Sequence, residues 1–302
     1  MGSPQESNRN PDASIIALVL LLALLWGGNS VAIKIGLQDI PPLALAGFRF
    51  IIGLIAVTGW ALWQRVRIRM EPGEFVPLIY ISVIFLFQII ALNVGTHYTT
   101  SSRSIVLNST YPLFTTLLAH FMVQGDRLTV AKVVGILLAF VGVTVTFRES
   151  LNLGSNEYLV GDIVVLISGL LLGLRVVTTK VLVQSIHPYR LLIWSMLLTL
   201  PWFFILSLIF EQGWEYRVSF SSVTAIFYQG LVVAGFCFVA WTSVLRHYKA
   251  SRLVVLFFAT PLFGVVLSNL LLDEPLGLEL ISGAVLVAAG IYLVNRTQER
   301  DQ

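Results

Sequence analysis

One pattern occurs twice in this chain, in a form that only certain folds can accommodate. Tyr98, Ser102, Arg103 and Pro112 recur as Tyr248, Ser251, Arg252 and Pro261. Leu128, Gly135 and Gly142 recur as Leu276, Gly283 and Gly290, and Lys34 and Pro42 recur as Lys180 and Pro188. The offset stays between 146 and 150 residues, so the chain reads as two copies of one unit. Each copy carries five hydrophobic runs of roughly 20 residues, the length that crosses a bilayer as a helix. An odd number of crossings forces the second copy to sit upside down. Inverted repeats of this kind are how many secondary transporters are built, with the binding site between the halves near the midplane.

Composition agrees with a membrane solvent. Apolar residues make up 57% of the chain and charged residues only 12%, about half the charge of a soluble domain. The expected fold is therefore all-α and integral to the membrane: ten transmembrane helices in two inverted five-helix repeats. The spans read as 14–35, 41–63, 75–95, 101–122 and 129–147, then 160–183, 189–210, 221–245, 251–272 and 277–294. Repeat one thus occupies 14–147 and repeat two 160–294, with a disordered tail at 1–13 and a short C-terminal tail at 295–302. With both termini in the cytoplasm, thirteen basic residues fall inside and four (Lys34, Arg103, Arg148, Arg217) outside. That bias orients the protein, and a bacterial plasma membrane is the expected location. The net charge of +3 is juxtamembrane and offers no nucleic-acid surface. The lone Cys237 forms no intrachain disulfide.

The motifs at the repeats carry a family resemblance. Leu25-Trp26-Gly27-Gly28 leads to Lys34 in span 1, and Gly47-Phe48-Arg49-Phe50 lies in span 2. Tyr111-Pro112-Leu113-Phe114 in span 4 is matched by Thr260-Pro261-Leu262-Phe263 in span 9, and Asp273-Glu274-Pro275-Leu276 precedes span 10. Over nearly its whole length the chain resembles the EamA family of the drug/metabolite transporter superfamily. The resemblance implies ten helices in inverted repeats, cytoplasmic termini and transport of small organic solutes. One departure is Asp126, which stands one residue further from Pro112 than the family's usual glutamate before span 5.

Arg49 and Arg175 are the only formal charges well inside spans. A charge in hydrocarbon is costly, so each is expected to face protein or a watery cavity. Arg175 is read as the holder of an anionic group such as a carboxylate. Arg49 matches an arginine common in the family, and binding to helix ends or carbonyls competes there with substrate contact. Ser104, Asn108, Tyr111 and Thr115 share one helical face of span 4. That stripe is a cavity wall, or else a set of interhelical hydrogen bonds. Asn29 of span 1 is the repeat equivalent of Arg175, and Trp26, Trp202 and Trp241 lie deep enough to meet an apolar part of a substrate, or to pack in the core. The expected substrate-binding set is Arg175, Asn29, Asn108, Tyr111, Thr115, Trp26 and Arg49. Pro112 and Pro261 sit mid-span in both repeats and are expected to kink helices that act as gating hinges.

No acid lies mid-span, and the carboxylates Asp126, Asp162, Asp273 and Glu274 cluster at span ends, where they suit helix ends better than a proton relay. Transport by exchange or facilitated diffusion follows as the expected mode. No cofactor and no metal site are expected. Small residues in spans 5 and 10 (Gly135, Ala139, Gly142; Gly283, Ala284, Ala288, Gly290) allow close helix approach, within the fold or across a homodimer. A membrane-embedded enzyme and a receptor or scaffold remain the competing classes. The first lacks a metal-spaced or nucleophile–base cluster, and the second lacks an extramembranous domain.

Overall fold

The chain is described here by a computed structural model covering residues 12–122, 130–152, 157–183, 185–247, 257 and 259–298. The tail at 1–11, Asp126, the Tyr248–Ser251–Arg252 recurrence and residues 299–302 lie outside the described residues. Among those described, all regular structure is helical. The helices are α1 (Ala13–Gly36), α2 (Pro42–Trp63), α3 (Phe75–Tyr98), α4 (Ser101–Asn108), α5 (Tyr111–Met122), α6 (Val130–Asn152), α7 (Glu157–Leu182) and α8 (Pro188–Phe210). Then come α9 (Phe220–Phe227), running through a π-helical segment (Tyr228–Cys237) into α10 (Phe238–His247), and finally α11 (Ala259–Leu272) and α12 (Leu278–Gln298). Six helical stretches are long and apolar enough to cross a membrane, and three shorter apolar helices (Val133–Thr146, Ala259–Leu272, Leu278–Leu293) accompany them.

Burial is distributed as a bilayer demands. Gln88, Asn93, Thr96, Thr99, Arg103 and Asp162 are buried, while Ile55, Val76, Leu208, Phe210 and Leu270 are exposed. In lipid the polar groups must be satisfied inside the protein and the apolar ones can face out. At one end of the bundle, buried charges tie helix ends together. The Lys34 ammonium donates to the carbonyls of Thr96 (3.1 Å), His97 (3.0 Å) and Thr99, closing the C-terminus of α3. Glu274 accepts from the Ser101 and Ser102 amides at 2.7 and 2.8 Å, capping α4. Glu211 accepts from the Leu43 and Ala44 amides at 2.7 and 3.2 Å, capping α2. Arg103 pairs with Asp162, which also accepts from the Thr99 hydroxyl at 2.6 Å. At the opposite end, Arg190 donates to Glu71 and Glu74 at 2.8 and 2.6 Å. Each carboxylate meets a positive helix end or a cation, as the helix dipole favours. At the start of α1, the Ser14 hydroxyl and the Ile15 amide donate to Asp12, holding its carboxyl below the usual carboxylate range.

Between these ends the helices touch through glycine. A Cβ on Gly290 would lie 2.5 Å from the Gly135 carbonyl and 2.9 Å from the Ala139 amide, so α12 and α6 meet backbone to backbone. The small residues of spans 5 and 10 therefore pack on each other within the chain. Another contact is made twice. Gly27 of α1 faces the Thr260 carbonyl, the Phe263 Cβ and the Gly264 amide of α11. Gly173 of α7 faces the Tyr111 carbonyl, the Phe114 Cβ and the Thr115 amide of α5.

The prolines correct the sequence reading. Span 4 is not a kinked helix but two helices, broken at Ser109 and Thr110, with Pro112 in the first turn of the second. A proline there needs no donor partner, and the orphaned backbone turns tightly: the Thr110 amide reaches the Leu107 carbonyl at 3.2 Å, as does its hydroxyl at 2.6 Å. Pro261 likewise falls in the first turn of α11 as described. The proline inside a continuous helix is Pro201 of α8, on an exposed face.

The glycine contacts set a test. Gly290→Ala is expected to lower stability by about 1–3 kcal/mol, the usual cost of overpacking. Gly59→Ala, where nothing lies within 4 Å, should be neutral or mildly stabilising. Thermal unfolding of the purified variants in detergent measures both. Equal melting for the two would contradict a backbone-to-backbone seam between α6 and α12.

Candidate functional site

The middle of the bundle holds two guanidinium groups on different helices. Arg49 lies seven residues into α2 and Arg175 seven residues before the end of α7, so each is about 10 Å from its nearer helix end at 1.5 Å per residue. Both depths fall inside a hydrocarbon core of about 30 Å. None of the ion pairs given among the described residues involves either one. Arg49 is buried, and its Nε and Nη1 have no hydrogen-bond partner.

An aromatic pair stands between the cations. The Arg49 guanidinium carbon lies 4.8 Å from the centre of the Phe50 ring, and that of Arg175 4.8 Å from the Phe85 ring. Phe50 and Phe85 meet edge to face at 4.9 Å, and Phe203 stacks on Phe50 at 5.6 Å. The negative face of each ring partly offsets a positive charge, worth roughly 0.5–2 kcal/mol per contact. The two like charges are linked through the Phe50–Phe85 contact.

A polar chain fixes Arg175. Its Nη1 donates to the Gln88 side-chain carbonyl at 3.1 Å, and the Gln88 amide donates to the Ser168 hydroxyl at 3.1 Å. That hydroxyl has the Gln88 backbone carbonyl at 3.0 Å and the Asn108 side-chain oxygen at 3.2 Å as acceptors. Asn108 is the last residue of α4 and Tyr111 the first of α5, so both flank the break. Tyr111 lies against α7 two residues before Arg175, its carbonyl 3.1 Å from where a Cβ on Gly173 would stand. The break is held against α7 by small residues: a Cβ on Gly169 would meet the Thr110 hydroxyl at 3.2 Å and the Leu107 carbonyl at 3.3 Å.

The structure thus joins Arg49, Arg175, Asn108 and Tyr111. It adds Gln88, Ser168, Phe50, Phe85 and Phe203 around them. Gln88 is absent from the set expected from the sequence, although an amide midway along an apolar run is itself a signal. The expected continuous stripe on span 4 is divided. Ser104 bonds Thr96 at 2.6 Å, and the Thr115 hydroxyl donates back to the Tyr111 carbonyl at 2.9 Å.

Asn29 and Trp26 gather elsewhere, on α1 against the π-helical segment and its flanks. The Asn29 side-chain oxygen has no partner. Nearby on the same helix, the Tyr228 hydroxyl donates to the Leu25 carbonyl at 2.7 Å and the Gln229 amide to the Ala32 carbonyl at 3.2 Å. Trp26 packs among Phe238, Trp241 and Phe257 at 6.1, 6.4 and 5.2 Å between ring centres. Trp202, expected at depth, is 52% exposed and faces outward. Among the described residues no group of three or more His, Cys, Asp or Glu could hold a metal ion.

Gln88→Leu is expected to cost about 1.5–3 kcal/mol of stability, the range for a hydrogen bond to a charged group. Gln88→Glu, which puts a carboxylate against Arg175, should keep the melting temperature near wild type. A Gln88→Leu protein that melts like wild type would show that Arg175 does not depend on this bond.

The model of the EamA-like transporter family matches residues 13–148 and again 159–296. An uncharacterized transporter of Bacillus subtilis strain 168, YoaV, is 28% identical over 284 residues, covering 93% of this chain and 97% of that protein. A protein of Escherichia coli strain K12, named a probable amino-acid metabolite efflux pump, is 30% identical and covers 91% of this chain and 93% of its own length. A solved crystal structure superposes with a TM-score of 0.71 at 18% identity, over 96% of this chain and 99% of that one.

Proposed function

Because the chain belongs to the EamA-like transporter family, we propose that it is a secondary transporter for a small anionic or zwitterionic organic metabolite, such as an amino acid. The observation that carries the substrate class is the Arg49–Arg175 pair: two mid-membrane cations, no carboxylate partner, and two guanidinium nitrogens of Arg49 left without hydrogen bonds. A group with negative charge is what such a place lacks. A carboxylate accepts from two guanidinium donors at once, and Tyr111 and the Phe50–Phe85 pair would receive the rest of the molecule. The efflux-pump relative agrees with an amino acid as the substrate.

In this reading the chain has ten spans in two inverted five-helix repeats and works by alternating access. The twice-made contact supports it: the atoms that Gly27 meets at Thr260, Phe263 and Gly264 are the ones Gly173 meets at Tyr111, Phe114 and Thr115. Helix contacts follow the same exchange. Span 1 packs on span 9 as span 6 packs on span 4, and span 2 on span 8 as span 7 on span 3. The Lys34 end is outside and both termini are cytoplasmic, by the basic-residue bias. Arg49 belongs to one repeat and Arg175 to the other, so a bound anion would bridge the halves.

Counterflow in proteoliposomes tests the charge. Arg175→Gln is expected to raise the apparent KM roughly tenfold to hundredfold, the equivalent of about 1.5–3 kcal/mol for a charged hydrogen bond. Arg175→Lys should recover only part, because an ammonium lacks the planar fork. Normal transport by Arg175→Gln, or transport of purely cationic compounds alone, would overturn the reading.

The gating role of the prolines is tested separately. Pro112→Ala and Pro261→Ala are expected to fold and to slow transport, since removing each proline's restraint on the backbone changes the relative energies of the two access states. Wild-type rates for both would leave the prolines a structural role only.

A further inference from the structure

The segment that leaves α2 carries three arginines that the transport reading does not use. Helix α2 ends in a Schellman turn: the Val66 amide reaches the Ala61 carbonyl at 2.8 Å and the Arg65 amide the Leu62 carbonyl at 2.9 Å. Arg65 occupies the left-handed position of that turn, with φ of 57°. Glycine fits this position without steric cost, and here a charged side chain stands in its place. Beyond it, exposure alternates. Val66, Ile68 and Met70 are half-buried, and Arg65, Arg67 and Arg69 are exposed. Alternation of this kind is that of an extended chain, which sets every second side chain about 7 Å apart on one side.

The strap is pinned from below. Val66 and Ile68 pack on Val57, Ala61, Tyr189 and Ile193, and the Trp194 indole donates to the Ile68 carbonyl at 2.9 Å. No ion pair given among the described residues neutralises the three arginines. The carboxylates that follow in sequence, Glu71 and Glu74, are engaged by Arg190. Arg67 and Arg69 line, with Glu71 and Phe75, a surface cleft of about 530 Å³. The surroundings fix the level of this cleft relative to the bilayer. Trp60 and Trp63, with rings 5.1 Å apart, are 41% and 74% exposed on the last turn of α2, and Phe75 is exposed at the start of α3. Exposed aromatic rings at helix ends sit at the headgroup layer.

We infer that residues 65–69 form a headgroup-binding strap that docks anionic phospholipid through Arg65, Arg67 and Arg69. Apolar anchoring below, aromatic rings beside and unpaired guanidiniums above place phosphate-binding groups where lipid phosphates lie. A soluble anion would find the same charges without the need for the aromatic rim. The inference stands apart from what the protein transports.

The test uses the full chain purified in a neutral detergent, with thermal unfolding followed against added phosphatidylglycerol, phosphatidylcholine or inorganic phosphate. Phosphatidylglycerol is expected to raise the melting temperature saturably, and the other two are not. The double variant Arg67→Gln/Arg69→Gln should weaken the apparent affinity for phosphatidylglycerol about 25-fold, at about fivefold for each arginine near a membrane surface. Arg65→Gly should weaken it about fivefold while leaving the lipid-free melting temperature unchanged or higher, which separates charge from folding. Arg217→Gln, an exposed arginine in the loop after α8, should respond to the lipid as wild type does. An unchanged lipid response in the double variant, or equal stabilisation by inorganic phosphate, overturns the proposal.

Discussion

Hydrocarbon offers no hydrogen-bond partner, and the arrangement of this chain follows from that deficit. A carboxylate or an ammonium at the end of a helix in water is a minor convenience. Here Glu211, Glu274 and Lys34 close the ends of α2, α4 and α3 with side chains drawn from distant segments. Because the donor and acceptor come from segments far apart in sequence, satisfying the backbone also fixes the bundle's connectivity. Arg103 with Asp162, and Arg190 with Glu74, extend the same logic to charges that are buried on both sides of the pair. Removing one partner from such a pair leaves a buried charge, at a cost of about 3–5 kcal/mol.

The same solvent explains the glycines. Helices gain nothing by hiding apolar side chains from lipid tails, so association rests on close packing. Gly142, Gly283 and Gly290 let α6 and α12 meet backbone to backbone, and Gly230 brings the π-helical segment to within a Cβ's reach of the Arg49 carbonyl. That last contact holds α2 at the depth where Arg49 faces the aromatic pair. Packing and site geometry are therefore set by the same small residues.

Much of this was legible in the sequence, and the exceptions have physical causes. The all-helical fold and its long apolar helices could be read because a bilayer crossing demands a set length of apolar chain. Azimuth could not. Asn29 is the repeat equivalent of Arg175, and its helix meets span 8 as the helix of Arg175 meets span 3, so equivalence in sequence puts the two at separate contacts of the bundle and not in one site. Trp202 reads as deep by its place in span 7 and is nonetheless half exposed, on the lipid side. Pro112 announces a disturbance of span 4, but whether a helix bends or breaks depends on what receives the freed backbone. Here Gly169 and Gly173 of α7 lie close enough for the chain to break at Ser109 and Thr110. Gln88 carries no charge to mark it in the sequence, although it orients a guanidinium.

What remains is why the centre is left electrically unbalanced when the ends are so thoroughly paired. Each ring face offsets only part of a guanidinium's charge, and aspartates in place of both Phe50 and Phe85 would neutralise the pair permanently. A site neutral on its own has little to gain from an anion. With Phe50 and Phe85 between them, Arg49 and Arg175 are screened enough to be tolerated and yet have donors to spare. On the proposed reading, an arriving carboxylate supplies the missing charge and touches both halves of the chain at once. A ligand can shift an equilibrium only by its differential affinity for the two states. An anion held by one arginine from each repeat has such a difference, because its contacts change whenever the halves move relative to one another.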